Sequence, residues 1–225
     1  LNAVVNSIVY TGVSVLLHVT IALVAGVLLA QKIRGIHVFR TFVLIPYMVP
    51  TVVSAFLFKW EFDLTHGLFS KSLLMLGLWS DPIPIFGTVS TAMIAVILLS
   101  FWHYMPFTSI VVLARVLAIP KEFYEMARID GLSSFQTFRY VTLPQLKGVM
   151  RMTVVLRAIW MFGMFDLIQL STGGGPIKMT ETLPLLAYRQ AFVEFSLGLG
   201  SAVNVIMLVL LLICYAIFWK VLWRT

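Results

Sequence analysis

Apolar residues in this chain gather in long unbroken stretches, such as Ile21 to Ala30 and Val205 to Ile213. Five such segments, at about 6–30, 38–58, 87–114, 149–170 and 199–222, approach or exceed the roughly 20 residues a helix needs to cross about 30 Å of hydrocarbon. Acidic residues are missing from all five except for Asp166 near one end, and Arg157 is the only base in mid-span. Strands of a membrane barrel would be short and would alternate apolar with polar positions. The pattern therefore predicts an all-α membrane protein, a polytopic bundle of transmembrane helices with five spans in view.

Composition strengthens that reading. Of 225 residues, 60% are hydrophobic and 11% charged, with a mean hydropathy of +1.00. Soluble domains are about 45–50% apolar and about 25% charged, so this chain lacks the charge to clothe a water-exposed surface. Disorder is excluded by the wealth of aliphatic and aromatic residues. The single cysteine, Cys214, excludes a disulfide scaffold and reads as a small apolar filler. A net charge of +7 without any basic block gives no reason to expect nucleic acid.

The basic residues set an orientation. Eleven of sixteen fall in three segments: Lys32, Arg34 and Arg40; Arg115, Lys121, Arg128, Arg139, Lys147 and Arg151; Lys220 and Arg224. The intervening joints carry only Lys59, Lys71, Lys178 and Arg189, alongside Glu61, Asp63, Asp81, Glu181 and Glu194. By the positive-inside rule the first set faces the cytoplasm. Five spans ending there place Leu1 outside with no signal peptide before it, which predicts at least one further span ahead of this numbering.

The joints differ in content. Pro46 and Pro50 are expected to kink the second span, while Gly67, Gly77, Pro82 and Pro84 mark turns in an external segment from Phe62 to Phe86. Ser171-Thr172-Gly173-Gly174-Gly175-Pro176 lacks the Gly-Lys-Ser/Thr ending of a phosphate-binding loop and reads as an extracellular turn. The cytoplasmic stretch 118–148 carries helix punctuation throughout. Pro120 suits a first turn, Glu122 its positive end, and Gly131 a left-handed close. Ser133 and Gln136 have capping-box spacing for a second helix, which Pro144 is expected to end. The first of these helices is expected to present Phe123, Met126 and Ala127 together, an apolar patch that wants a partner groove.

These residues carry a resemblance. Glu125-Met126-Ala127, three residues, Gly131, nine residues, then Val141-Thr142-Leu143-Pro144 resembles the EAA loop of binding-protein-dependent ABC importer permeases, with Met126 replacing Ala and Val141 replacing Ile. Phe165-Asp166-Leu167, the run Thr172 to Pro176, Arg34-Gly35, Phe39-Arg40 and Pro46 are similar to the carbohydrate-uptake subfamily of the maltose and glycerol-phosphate type. The resemblance implies a type I permease fold, with 1–225 as one transmembrane domain and 118–148 as its coupling loop. It also implies a coupling site of Phe123, Glu125, Met126, Ala127, Asp130, Gly131, Leu143 and Pro144. In that family this helix enters a cleft of the ATP-binding subunit, where Glu125 would make polar contact and Ala127 would permit close approach. The implied partners are a second, different permease chain, two cytoplasmic ATP-binding subunits that hold ATP and Mg, and an extracytoplasmic solute-binding protein.

A solute path is expected where polar and aromatic residues share helical faces. Ser100, His103, Tyr104 and Phe107 do so around Pro106, and Thr153, Arg157, Trp160, Met161 and Met164 do so one span later. Aromatic faces suit the C–H side of a sugar ring and the polar groups its hydroxyls. Arg157 would suit hydroxyls or an anionic solute. The same two helices line the cavity in the maltose-type family. His18 and His37 read as structural or loop residues and His66 as part of an external turn. No HExxH, paired carboxylates or nucleophile–base set occurs, so neither catalysis, a bound metal nor a cofactor of its own is expected. The alternative reading is an ion-coupled secondary transporter of a small polar solute. It would need membrane-embedded carboxylates or repeated halves, and only Asp166 approaches that requirement.

Overall fold

The computed structural model describes residues 1–31, 33–77 and 84–223. Lys32, Asp81, Pro82 and Arg224, used above in the charge and turn readings, lie outside the described residues. All regular structure among the described residues is helical: α1 (Asn2–Leu29), α2 (Ile36–Met48), α3 (Thr51–Glu61), α4 (Leu68–Met75), α5 (Ala92–Leu117), α6 (Lys121–Ile129), α7 (Ser134–Thr137), α8 (Leu143–Phe162), α9 (Asp166–Ser171), α10 (Leu183–Tyr188) and α11 (Leu197–Trp223). Two π turns, Phe138–Thr142 and Arg189–Val193, join α7 to α8 and extend α10.

Helix α1 shows how a membrane helix sorts its faces. Its buried positions are Ala3, Ser7, Tyr10, Ser14, Val15, His18, Ala22, Gly26 and Leu29, mostly three or four apart, and most are small or polar. Most exposed positions are aliphatic, among them Ile8, Val13, Leu16, Val24 and Leu28. Lipid is as apolar as leucine, so close packing and interhelical hydrogen bonds hold helices together rather than hydrophobicity alone. The buried stripe of α1 lies mainly against α5, and α8 packs across both. At Gly26 the approach is closest: an added Cβ would lie 2.6 Å from Val112 Cβ and 2.8 Å from the Ser109 carbonyl oxygen.

The expected spans are only partly as drawn. α1, α5 and α11 are each long and apolar enough to cross a membrane, while α2 and α3 pass that test only as a pair bent by 95°. The 38–58 segment is therefore broken rather than kinked. Val49 is extended (ψ 132°), as a residue before proline prefers, and Pro50 then opens α3. The fourth expected span, 149–170, is displaced toward the basic end. α8 runs from Leu143, stops before Gly163, and gives way to the separate α9. Its twenty residues hold Lys147, Arg151 and Arg157, too many charges for a lipid-facing span. By length and composition, three helices among the described residues, or four spans if the bent pair counts as one, stand where five were expected.

Pro144 does not end the second cytoplasmic helix, contrary to expectation. The chain stays helical from α7 through the π turn into α8, and Pro144 sits in the first turn of α8. The π turn explains the tolerance. Leu143 donates to the Phe138 carbonyl five residues back, and the widened turn lies where a proline ring would otherwise meet the carbonyl four residues behind it.

The basic end is held by two arginines. Arg40 donates from Nε and Nη2 to the Leu29 carbonyl, at 3.1 and 2.9 Å, where α1 leaves a free acceptor and the negative end of its dipole. Arg115 donates from Nε to the Gln145 carbonyl and from Nη2 to its side chain, both at 3.1 Å, tying α5 to α8. α11 is different: only 6% of its most apolar stretch is buried within the chain.

The Gly26 contact yields a test. Gly26→Val overpacks the α1–α5 seam and should cost about 1–3 kcal/mol, read as a lower unfolding midpoint in detergent. Gly12→Ala, where an added Cβ meets nothing within 4 Å, should leave the midpoint unchanged. Equal midpoints for the two variants would mean that the helices are not this close.

Candidate functional site

Two sets of residues stand out, one between α5 and α8, the other at the basic end. The first begins with a buried seam. Tyr10 Oη donates to Ser100 Oγ at 3.0 Å, and Ser100 Oγ donates to Met161 Sδ at 3.4 Å. His18 bridges the same place, with Nδ1 at the Ser14 carbonyl and Nε2 3.2 Å from the Ser100 carbonyl. Ser100 and Met161, both expected along a solute path, are thus spent on one another inside the α1–α5–α8 packing. Met164 is buried likewise, accepting from Tyr104 Oη at 3.8 Å. His18 is structural, as its sequence position suggested.

Arg157 lies beside this seam. It is 1% exposed, and it reaches across to α5 by donating from Nε to Thr108 Oγ1 at 2.9 Å and from Nη2 to the Tyr104 carbonyl at 2.7 Å. Its guanidinium carbon stands 5.0 Å from the Phe107 ring centre, 5.3 Å from Trp160 and 5.9 Å from Tyr104. Nη1 is buried without a hydrogen-bond partner. His103 shares a 3.0 Å hydrogen bond with Ser54 and meets the Tyr104 ring edge-on at 4.4 Å. Tyr47 closes the group, with its ring 5.7 Å from Phe107 and 6.3 Å from His103.

So the structure gathers His103, Tyr104, Phe107, Arg157 and Trp160 into one aromatic box and leaves Ser100, Met161 and Met164 in the packing beneath it. Thr153 bonds within α8, to the Val149 carbonyl at 2.8 Å. Sequence reasoning missed Tyr47, Ser54 and Thr108. Thr108 could have been found one turn beyond Tyr104, whereas Tyr47 and Ser54 reach the box only because the chain breaks near Pro50. Neutral acceptors and ring faces hold Arg157, and no ion pair to it occurs among the described residues.

At the basic end, α6 begins after Pro120 and closes in a Schellman motif. Leu132 N–H donates to the Ala127 carbonyl at 2.9 Å and Gly131 N–H to the Arg128 carbonyl at 3.1 Å, with Gly131 at φ 72°. The capping box forms as its spacing predicted: Gln136 N–H donates to Ser133 Oγ at 3.3 Å, and Ser133 N–H to Gln136 Oε1 at 2.8 Å. The expected patch needs correction. Met126 is 62% exposed and Phe123 is exposed beside it, but Ala127 is only 3% exposed and turned into the chain. The helix pivots on its inner side, where Tyr124 Oη lies 3.3 Å from Thr142 Oγ1. Ile129 takes the vacated outer place. Glu125, Asp130 and Pro144 are exposed, and Leu143 is half-buried.

The opposite end is ordered by its hydroxyls. Thr180 Oγ1 donates to the Gly175 carbonyl at 2.8 Å and lies 2.7 Å from Thr172 Oγ1. Asn6 Nδ2 donates to the Lys178 and Glu181 carbonyls, both at 3.0 Å, and Ser7 Oγ accepts from Leu183 N–H at 2.8 Å. The glycine run is thereby fastened to the first turns of α1. Asp63, in the segment after α3, is held down to about 2, first by the Thr65 hydroxyl and then by the backbone N–H groups of His66 and Thr65.

Residues 19–224 match the family of binding-protein-dependent transport system inner membrane components. The chain belongs to that family. It is 36% identical over 212 residues to the trehalose/maltose transport system permease protein MalF of Thermococcus litoralis, covering 94% of this chain and 71% of that one. It is 29% identical over 213 residues to the sn-glycerol-3-phosphate transport system permease protein UgpA of Agrobacterium fabrum, covering 94% and 72%. Among solved structures, a bacterial ABC transporter involved in importing the acidic polysaccharide alginate aligns over 99% of this chain and 78% of that one, with a TM-score of 0.87 at 21% identity. The chain is accordingly a multi-pass, inner-membrane permease subunit of an ATP-driven importer.

The capping box gives the second prediction. Ser133→Ala should cost the start of α7 about 1 kcal/mol, seen as faster amide exchange across residues 134–142 with no change in α1 or α5. Unaltered exchange there would mean the cap does not hold this turn.

Proposed function

We propose that this permease forms part of the path for a carbohydrate or related polyol, and that α6 receives the movement of a cytoplasmic ATPase. The observation that carries the coupling role is the exposed outer face of α6: Phe123, Met126 and Ile129 project beside Glu125 and Asp130 from a helix that starts after Pro120 and is closed at its C-terminus by the Gly131 motif. Apolar side chains exposed on a short amphipathic helix call for a partner surface. Ala127, on the inner face, seats α6 against its own chain, and Gly131 turns the backbone out of the contact. Residues 118–148 then act as a coupling element within one transmembrane domain spanning 1–225. ATP and Mg belong to two partner subunits, and hydrolysis is theirs.

The solute class rests on chemistry and kinship together. The box offers ring faces from Tyr47, Phe107 and Trp160 beside the donors of Arg157, His103 and Tyr104, the mixture that sugars use. Relatives named for trehalose/maltose, diacetylchitobiose and sn-glycerol-3-phosphate point the same way. A second permease chain would complete the path. At the outer face, the fastened loop around Lys178 gives a solute-binding protein a firm platform, and the alginate transporter has been solved with its periplasmic protein bound.

Gly131→Pro should abolish uptake, because proline cannot take the positive φ that Gly131 holds. Glu125→Lys should weaken ATPase association or uncouple hydrolysis from transport. Both variants should insert normally, and wild-type uptake in both would sink the coupling assignment. Separately, Lys178→Cys should crosslink to a secreted solute-binding protein and react with impermeant reagents from outside. Reaction from the cytoplasm alone would invert the topology.

A further inference from the structure

Arg157 has an incomplete environment for a buried cation. Two of its three nitrogens bond to neutral acceptors, Thr108 Oγ1 and the Tyr104 carbonyl, and both bonds hold the planar fork against α5. Nη1 has no hydrogen-bond partner although it is buried. The ion pairs found among the described residues, Asp63 with His66 and Arg189 with Glu181 and Glu194, all lie elsewhere. Beyond those two bonds, ring faces of Phe107, Trp160 and Tyr104 stand over the charge, and among the described residues no carboxylate forms an ion pair with it. Two members of the box are themselves accessible: Trp160 is 45% exposed and Tyr47 38%. One layer of aromatic side chains therefore separates a guanidinium that has no ion-pair partner among the described residues from the surface shared by α2, α5 and α8.

We infer that this box recognises an anionic group on the solute, so that the carbohydrate or polyol carried is one bearing a carboxylate or phosphate. The inference rests on the importer reading and narrows it. Rotation of the Trp160 side chain uncovers Nη1, which donates to the anion while Nε and Nη2 keep their bonds to α5. The fork is already oriented, so recognition requires no rearrangement of α8. Trp160 and Tyr47 then take the C–H side of the solute. A neutral sugar can fill the same space and accept a hydrogen bond, but it leaves the buried charge unanswered. Charge-assisted bonds are the stronger kind, which gives the box a preference for anions over isosteric neutral solutes.

The test uses the complete complex, purified through a tag on this chain and placed in nanodiscs. Matched probes are sn-glycerol 3-phosphate against glycerol for phosphate, and galacturonate against galactose for carboxylate; the readout is the shift in unfolding midpoint with probe concentration. At least one anionic probe should stabilise the wild-type complex where its neutral partner does not, and the responding pair identifies the group. Arg157→Met should remove that response. Arg157→Lys keeps the charge, loses the fork, and should weaken it by about tenfold, which keeps the test alive should Arg157→Met fail to assemble. Equal responses to charged and neutral probes, an anionic response unchanged in Arg157→Lys and Arg157→Met, or no response to any probe would overturn the proposal. A wild-type complex containing no ATPase would instead overturn the importer reading on which it rests.

Discussion

The contact between α1 and α5 is the frame on which the other helices hang. Within a bilayer there is no general gain from bringing two apolar helices together, so their contact must come from fit and from hydrogen bonds. Here Gly26 lets the backbones meet against Val112 and Ser109, and Tyr10 and His18 both bond to Ser100. α8 then lies across the pair, and its Met161 receives the Ser100 hydroxyl. Remove the small residues and α8 loses the surface that positions Arg157. Tyr10, His18 and Ser100 find their hydrogen-bond partners because the helices approach closely, and they approach closely because the positions around them are small.

Arg157 is placed by that frame and also strains it. Inserting arginine at a helix centre costs about 2.5–3.5 kcal/mol on translocon scales. Two hydrogen bonds from a charged donor and three ring contacts return energy of the same order, which lets the residue stay without a carboxylate. That balance leaves the box polar on one side and aromatic on the other, as the proposed solute path requires. The broken segment around Val49 and Pro50 contributes by turning α3 away from α2, so that Tyr47 and Ser54 both reach α5.

Much of this was legible in the chain. Runs of apolar residues announced the bundle, Gly131 its left-handed close, and Ser133 with Gln136 their capping box, because each depends on local rules of period and backbone geometry. Arg157 was conspicuous for the same reason. The failures are tertiary. Helical spacing put Ala127 beside Phe123 and Met126, but contact with the rest of the chain turned it inward. Two prolines suggested a kink where the chain makes a 95° break. Pro144 looked like a terminator, and a π turn absorbed it. Ser100 and Met161 had the right types for a path, yet the partner that buries them, Tyr10, is 90 residues from Ser100 in sequence.

The continuity of α7, the π turn and α8 links the two sites more directly than their separation suggests. From Ser134 to Phe162 the chain is helical without a break, a rod of about 40 Å at 1.5 Å per residue. Its widened turn abuts α6, through the Tyr124 and Thr142 hydroxyls, and its far end carries Arg157 and Trp160. A helix resists bending far more than a loop does, so a push on α6 under the proposed coupling moves the box instead of dissipating along the way. The single widened turn lies between Phe138 and Thr142, at the lower end, where Arg115 and Gln145 tie the rod to α5. That is the place where a tilt can begin, and the grip of Arg157 on Thr108 and Tyr104 is what such a tilt has to loosen.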